Sequence, residues 1–330
     1  MSREEPLEGK LSRGQFLKRG GVGGGLLVLA GGALVGCGER ATQAGTTREG
    51  GSGDTGEQTP GGGTTHDGTT GGTQDPFVAQ VDRGLEYFQQ RAEDQLPLVE
   101  SLLAAIRAGN MQEARKIYVE ARPPYEEIEV LAVNFEQTDS DIDARPYAFD
   151  SGEASEEFKG FHRIEGLLFR DEDIEAALPY AEELVQSVKT LQRDLRAREN
   201  FDAVTHFEGM IGLATEIPAK KISSEEETYS DQSLVIFRYN LVGIYSQFEP
   251  FLGEVENRSP EAAASATEAY EAAMATVEPF FSGAVEAEPY SSVGMARRGE
   301  IVKTTERFRG TLIRASEVLQ LDAPETDPIR

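Results

Sequence analysis

The 330-residue chain has one cysteine, no tryptophan, three histidines, and only 32 Lys plus Arg against 58 Asp plus Glu, a formal net charge of -26. A single cysteine excludes an internal disulfide framework and any cysteine-rich zinc or iron-sulfur site. Any metal site must therefore use oxygen and imidazole. The shortage of basic residues makes non-specific attraction to nucleic acid or to an anionic membrane face unfavourable, so no nucleic-acid partner is expected. Cations are the natural partners. The chain also lacks a Gly-rich phosphate loop, a GxSxG elbow and an HExxH pair, which removes the common signals for nucleotide binding, serine hydrolysis and zinc proteolysis.

Glycine is unevenly spread, with 22 of 35 in the first 75 residues and 13 in the remaining 255. Residues 1–36 join a basic stretch at 13–19 to an apolar, Gly-rich run at 20–36 that is too short for a good membrane span, and they read as a signal peptide. It ends in Leu34-Val35-Gly36-Cys37, which looks like the lipobox of bacterial lipoproteins, so Cys37 is the expected lipid-attachment residue. The segment 12–18 resembles a twin-arginine signal with Gly14 in place of the second Arg, leaving the export route open. Gly, Ser and Thr supply 23 of residues 38–75, so the stretch from Cys37 to residue 75 is expected to be a flexible tether; His66 falls inside it. The predicted organisation is then signal peptide 1–36, lipidated tether 37–75, helical domain 76–322 and tail 323–330. It places the protein outside the cytoplasm on a lipid anchor, in the periplasm or at the cell surface.

Beyond residue 76 the apolar pattern is helical. Ala181, Leu184, Val185, Val188, Leu191 and Leu195 follow one helical stripe; Ile301, Thr305, Phe308, Leu312, Ala315 and Leu319 follow another. Helices are predicted near 77–108, 111–134, 154–169, 174–198, 202–217, 230–252, 260–282 and 296–320, with kinks or breaks at Pro97 and Pro123-Pro124. Ser259-Pro260 is a helix-start signal. Eight helices with mostly short connections predict an all-α fold built from helical bundles.

Two short spacings carry chemistry. Glu126 and Glu129 lie three apart, as do His162 and Glu165, so on a helix each pair shares a face and can reach one ion. Asp139, Asp141 and Asp143 lie between the pairs, and Glu225, Glu226 and Glu227 form a later acidic run. With 58 acids in the chain, a solvated helix face is the default reading of any one such pair, a structural role that of a lone His beside Phe161 and Ile164, and a helix-dipole partner that of Glu225 to Glu227.

The segments Ala121-Arg122-Pro123-Pro124-Tyr125-Glu126-Glu127-Ile128-Glu129, Asp141-Ile142-Asp143-Ala144-Arg145, Gly160-Phe161-His162-Arg163-Ile164-Glu165 and Lys221-Ile222-Ser223-Ser224-Glu225-Glu226 with Tyr229-Ser230 resemble, in order and spacing, the motifs of the EfeO/imelysin family. Leu234, Phe237, Asn240 and Gly243 continue the pattern, whereas Ser224 and Ser233 stand where Gly and Asp are usual. The resemblance implies an all-helical fold of two bundle-like halves. It implies a ligand set of Glu126, Glu129, Asp143, His162, Glu165 and Glu225 for iron, ferrous or ferric, a donor set that also accepts Zn, Cu or Mn. Such crowded acids are expected to repel one another when no ion is present, so that losing one leaves metal-free stability unchanged or raised. Tyr125 and Tyr229 flank the site in sequence, either as core residues or as phenolates favouring ferric ion.

The resemblance further implies a non-enzymatic component of iron uptake, of the short lipid-anchored type without a cupredoxin domain. Its partners would be a membrane iron permease and a haem peroxidase. Two alternatives stand beside it. An imelysin-type metallopeptidase would need an HxxEH arrangement, but Gly166 follows Glu165. A metal-bridged module binding surface polysaccharide or another partner would have to stack sugars on Tyr or Phe.

Overall fold

The computed structural model describes residues 76–223 and 226–322. The signal peptide, Cys37, the tether, Glu225 and the tail all fall outside the described residues. Helix α1 (Val78–Arg107) leads to α2 (Met111–Ala121), whose first turn is capped by the Asn110 side chain. Short α3 (Pro123–Ile128) follows at once and passes through a 3₁₀ segment (Glu129–Phe135) into α4 (Glu136–Asp143). An irregular stretch with two 3₁₀ turns ends at α5 (Phe161–Glu165) and the π-helical turn Gly166–Arg170. Helix α6 (Ile174–Asp194) is capped by Asp173, and α7 (Ala203–Ala219) starts with a reciprocal capping box between Asp202 and Thr205. Then come α8 (Ser233–Phe248), α9 (Leu252–Arg258), α10 (Pro260–Val277) and α11 (Met295–Leu319).

The all-α fold is as the sequence predicts. Among the described residues the only strand-like pairing is an isolated bridge between Phe281 and Ala287. The helices form two bundle-like halves, α1 with α2 and α6, and α7 with α8, α10 and α11, with α3 held between α1 and α8. Both predicted stripes are buried in full, and all of their positions except Thr305 join one hydrophobic core. Ser259 caps α10, with Pro260 in its first turn.

Local differences have identifiable causes. The chain breaks at Pro123-Pro124 as expected, but α1 runs through Pro97. Phe88, Ala92, Val99 and Leu102 continue one buried stripe across that proline, and packing holds the helix despite the lost backbone bond. Residues 136–143, which lie between two predicted helices, form α4, with Glu136 and Asp139 in its first turn where the helix dipole favours acids. Residues 154–160 are not an α-helix, because Gly160 takes φ 80° and stops any helix before Phe161. Among the described residues, no helix is long and apolar enough to cross a membrane.

Candidate metal centre

The junction between α2 and α3 places Arg122 in the interior, 1% exposed. Its guanidinium meets three carboxylates: Glu126 at 2.6 Å, one turn along the chain, Asp143 at 2.6 Å from the end of α4, and Glu227 at 2.9 Å from the segment before α8. It also lies over the Phe161 ring, 4.7 Å from its centre. A second buried cation, Lys221, sits in the turn after α7 and bonds both oxygens of Glu129, at 2.8 and 3.0 Å, while also pairing with Glu226. Arg145 pairs with Glu226 and lies 3.6 Å from Asp143. From α8, Asn240 donates to Glu126 and Glu129, which ties that helix to the same cluster.

The HxxE pair completes the centre. His162 Nε2 is 3.3 Å from Asp143 and its Nδ1 is 3.6 Å from Glu165 Oε2. The other Glu165 oxygen accepts the backbone N–H groups of Tyr229 and Ser230, at 2.7 and 2.9 Å. Glu227 accepts from Tyr118 and Ser230. A cleft of about 140 Å³ leads inward to His162 and Glu165, between Arg145, Phe158, Arg170 and Tyr229. At its mouth Arg170 bonds Glu153, Asp171 and the Tyr229 hydroxyl, joining three loop segments.

Burial pushes Glu126 and Glu227 up to about 7, against the opposing pull of Arg122. Asp143 is pushed the same way by burial, yet Arg122, His162 and Arg145 outweigh it and hold this carboxyl well below the usual range. Glu165 is likewise buried but held low by His162 and by the two backbone donors. Burial and Arg145 disfavour a charged His162, but Asp143 and Glu165 prevail and raise it.

Five of the six residues singled out in the sequence, Glu126, Glu129, Asp143, His162 and Glu165, therefore lie in one buried charge cluster. The sixth, Glu225, lies outside the described residues, while its neighbours Glu226 and Glu227 are both in the cluster. The acids do repel as expected, Glu129 and Asp143 raising Glu126 and Glu165 raising Glu227, but Arg122, Arg145 and Lys221 are interleaved with them, so the repulsion is not left uncompensated. Among the described residues, no three His, Cys, Asp or Glu side chains are grouped as an ion would require; the acids converge on guanidinium and ammonium groups instead. Those cations stand inside the motifs quoted above, but only tertiary structure reveals that they point inward. Tyr125 is buried with its hydroxyl on Asp139, and Tyr229 lies beneath Arg170, so the two tyrosines have separate settings.

An all-helical domain with a buried, histidine-containing carboxylate cluster behind a cleft is the class these features define. The chain belongs to the imelysin family: the imelysin model, whose label is that of a peptidase family, matches residues 85–304. Curated relatives carry a different name. The iron uptake system component EfeO of Escherichia coli is 34% identical over 157 residues, 48% of this chain and 42% of that protein. The protein of the same name from Yersinia pseudotuberculosis is 36% identical over the same shares of each chain. The match thus covers less than half the length of these relatives.

Proposed function

We propose that this protein is a non-catalytic, extracytoplasmic lipoprotein that binds iron and delivers it to a membrane permease, with a haem peroxidase as a further partner. Glu126, Glu129, Asp143, His162 and Glu165, joined by Glu225, would hold the ion; Cys37 would carry the lipid. The observation that carries the reading is a buried cluster of hard carboxylates and one imidazole, held on Arg122, Arg145 and Lys221, whose His162 and Glu165 end a cleft reaches from outside. The name of the curated relatives supports iron as the cargo. Against the peptidase reading, the only other histidine among the described residues, His206, packs against Phe201 and Phe251 and bonds the Asp202 carbonyl, so it belongs to the core.

His162→Ala and Glu129→Gln should each weaken iron binding at least tenfold, about 1.4 kcal/mol, measured by titration calorimetry. Bound iron should raise the melting temperature of the wild type, and that gain should shrink in both variants. Glu129→Gln should also lower metal-free stability, since Lys221 loses a carboxylate that it bonds through both oxygens. Unchanged affinity in both variants, or no thermal shift in the wild type, would reduce the cluster to a structural ion-pair network.

Iron affinity should depend on pH with a definite sign. Glu126 and Glu227, raised to about 7, increasingly hold protons as pH falls below that value, and an incoming cation must displace them. Affinity should therefore drop between pH 8 and 6, by up to about tenfold per unit for each proton released. Calorimetry in buffers of different ionisation enthalpy gives the proton count directly, and a count of zero would contradict this prediction.

A further inference from the structure

Lys221 Nζ has three carboxylates around it: both oxygens of Glu129, Glu226, and Glu126 at 3.8 Å. The side chain is 3% exposed. A shell of anionic oxygens closing on one compact charge is what a hard metal cation also requires. We propose that Lys221 is an internal counter-cation: it occupies the Glu126 and Glu129 carboxylates until iron takes them, and so sets how tightly iron is held. This rests on the iron reading above.

The two interior cations are built differently. Arg122 is a planar fork fixed by three carboxylates and stacked on Phe161, at a junction where two helices meet. Nothing there allows withdrawal without opening the core. Lys221 is a point charge on a flexible four-carbon stem, carried by the short 3₁₀ turn Lys221–Ser223. Rotation about its side-chain bonds removes the ammonium while helices α7 and α8 stay in place.

The arrangement solves a problem that any buried acidic site faces. Without a cation the carboxylates would be desolvated and uncompensated, and the domain would be destabilised whenever it was empty. With a second fixed cation beside Arg122, neither oxygen of Glu129 would be released to a metal. A tethered single charge meets both needs, because a divalent or trivalent ion interacts more strongly with the same oxygens and a monovalent ion does not. The energy of displacing the ammonium is subtracted from that of binding the ion, as when only part of a population is binding-competent. Iron is then bound reversibly, and Lys221 closes the site as the ion departs.

The test compares full-length wild type with Lys221→Met and Lys221→Gln, using ferric iron presented from a citrate buffer. Titration calorimetry should show at least tenfold tighter binding in the variants. Their metal-free melting temperatures should fall, and the rise on adding iron should exceed that of the wild type. Lys221→Gln keeps a hydrogen-bond donor and serves where Lys221→Met does not fold, as judged by circular dichroism. A folded variant that binds iron no tighter than the wild type overturns the inference and leaves the iron reading standing. If wild type and variants alike take up no iron, the iron reading fails and this inference fails with it.

Discussion

Replacing Arg122 with Met should destabilise the metal-free domain by about 3–5 kcal/mol, the range for breaking a buried ion pair by removing one partner. The guanidinium is the shared partner of Glu126, Asp143 and Glu227, all in the interior, and Met leaves their charges without it. The deficit should depend on pH. A carboxyl raised in the folded state stabilises the fold most below its unfolded value, and that contribution is lost as pH rises through the folded one. Glu126 and Glu227 are already raised with Arg122 present, so they should rise further without it. The variant should recover stability relative to wild type as pH falls from 8 towards 5. Urea unfolding across that range measures both parts. A loss below 1 kcal/mol at pH 8, or a deficit that grows on acidification, would contradict the charge pairing described here.

Gly160→Ala should be nearly as damaging, for a backbone reason. At φ 80° and ψ -159° this residue occupies a region essentially restricted to glycine, and any other residue there stores about 1–3 kcal/mol of strain. A Cβ would also stand 2.2 Å from the Ile142 carbonyl oxygen and 2.5 Å from its carbon, which are backbone atoms of α4. Relief requires α5 to move away from α4, and with it His162 from Asp143. Stability and iron affinity should both fall, the latter more than tenfold. Gly109→Ala provides the control. That glycine has φ 66° and open space around it, with nothing within 4 Å of where a Cβ would stand, so the substitution should cost about 1–2 kcal/mol and keep iron affinity. Equal affinity losses at both positions would show general destabilisation rather than displacement of the HxxE turn.

The contrast between what could and could not be read in the sequence follows from the range of each signal. The stripe from Ala181 to Leu195 and that from Ile301 to Leu319 are local periodicities, and all twelve positions are buried. Helix α4 escaped notice because its sequence is nearly all polar and its helical preference lies in where Glu136 and Asp139 stand. The spacing of His162 and Glu165 placed both on one turn, as found. The inward direction of Arg122 and Lys221 had no local signature, since a buried and a solvated cation have the same neighbours in sequence. The same holds for the acidic run before α8, where the resemblance points to Glu225, outside the described residues, and the fold brings Glu226 and Glu227 inside. Gly243 is a related case. A Cβ there would meet the Glu127 carbonyl oxygen at 2.3 Å, a closeness between α8 and α3 that only the packed structure displays.

Asn240 bonds Glu126 across 114 residues of sequence, and Lys221 reaches Glu129 across 92. Contacts of that separation are the slow steps in folding, because each closes a long loop before any energy is returned. A nascent chain ending at residue 200 would carry Glu126, Glu129, Asp143, His162 and Glu165 but neither Lys221 nor Asn240 to organise them. On the iron reading proposed above, metal capture would then be a late property of the finished domain, and an ion would not serve as its folding nucleus.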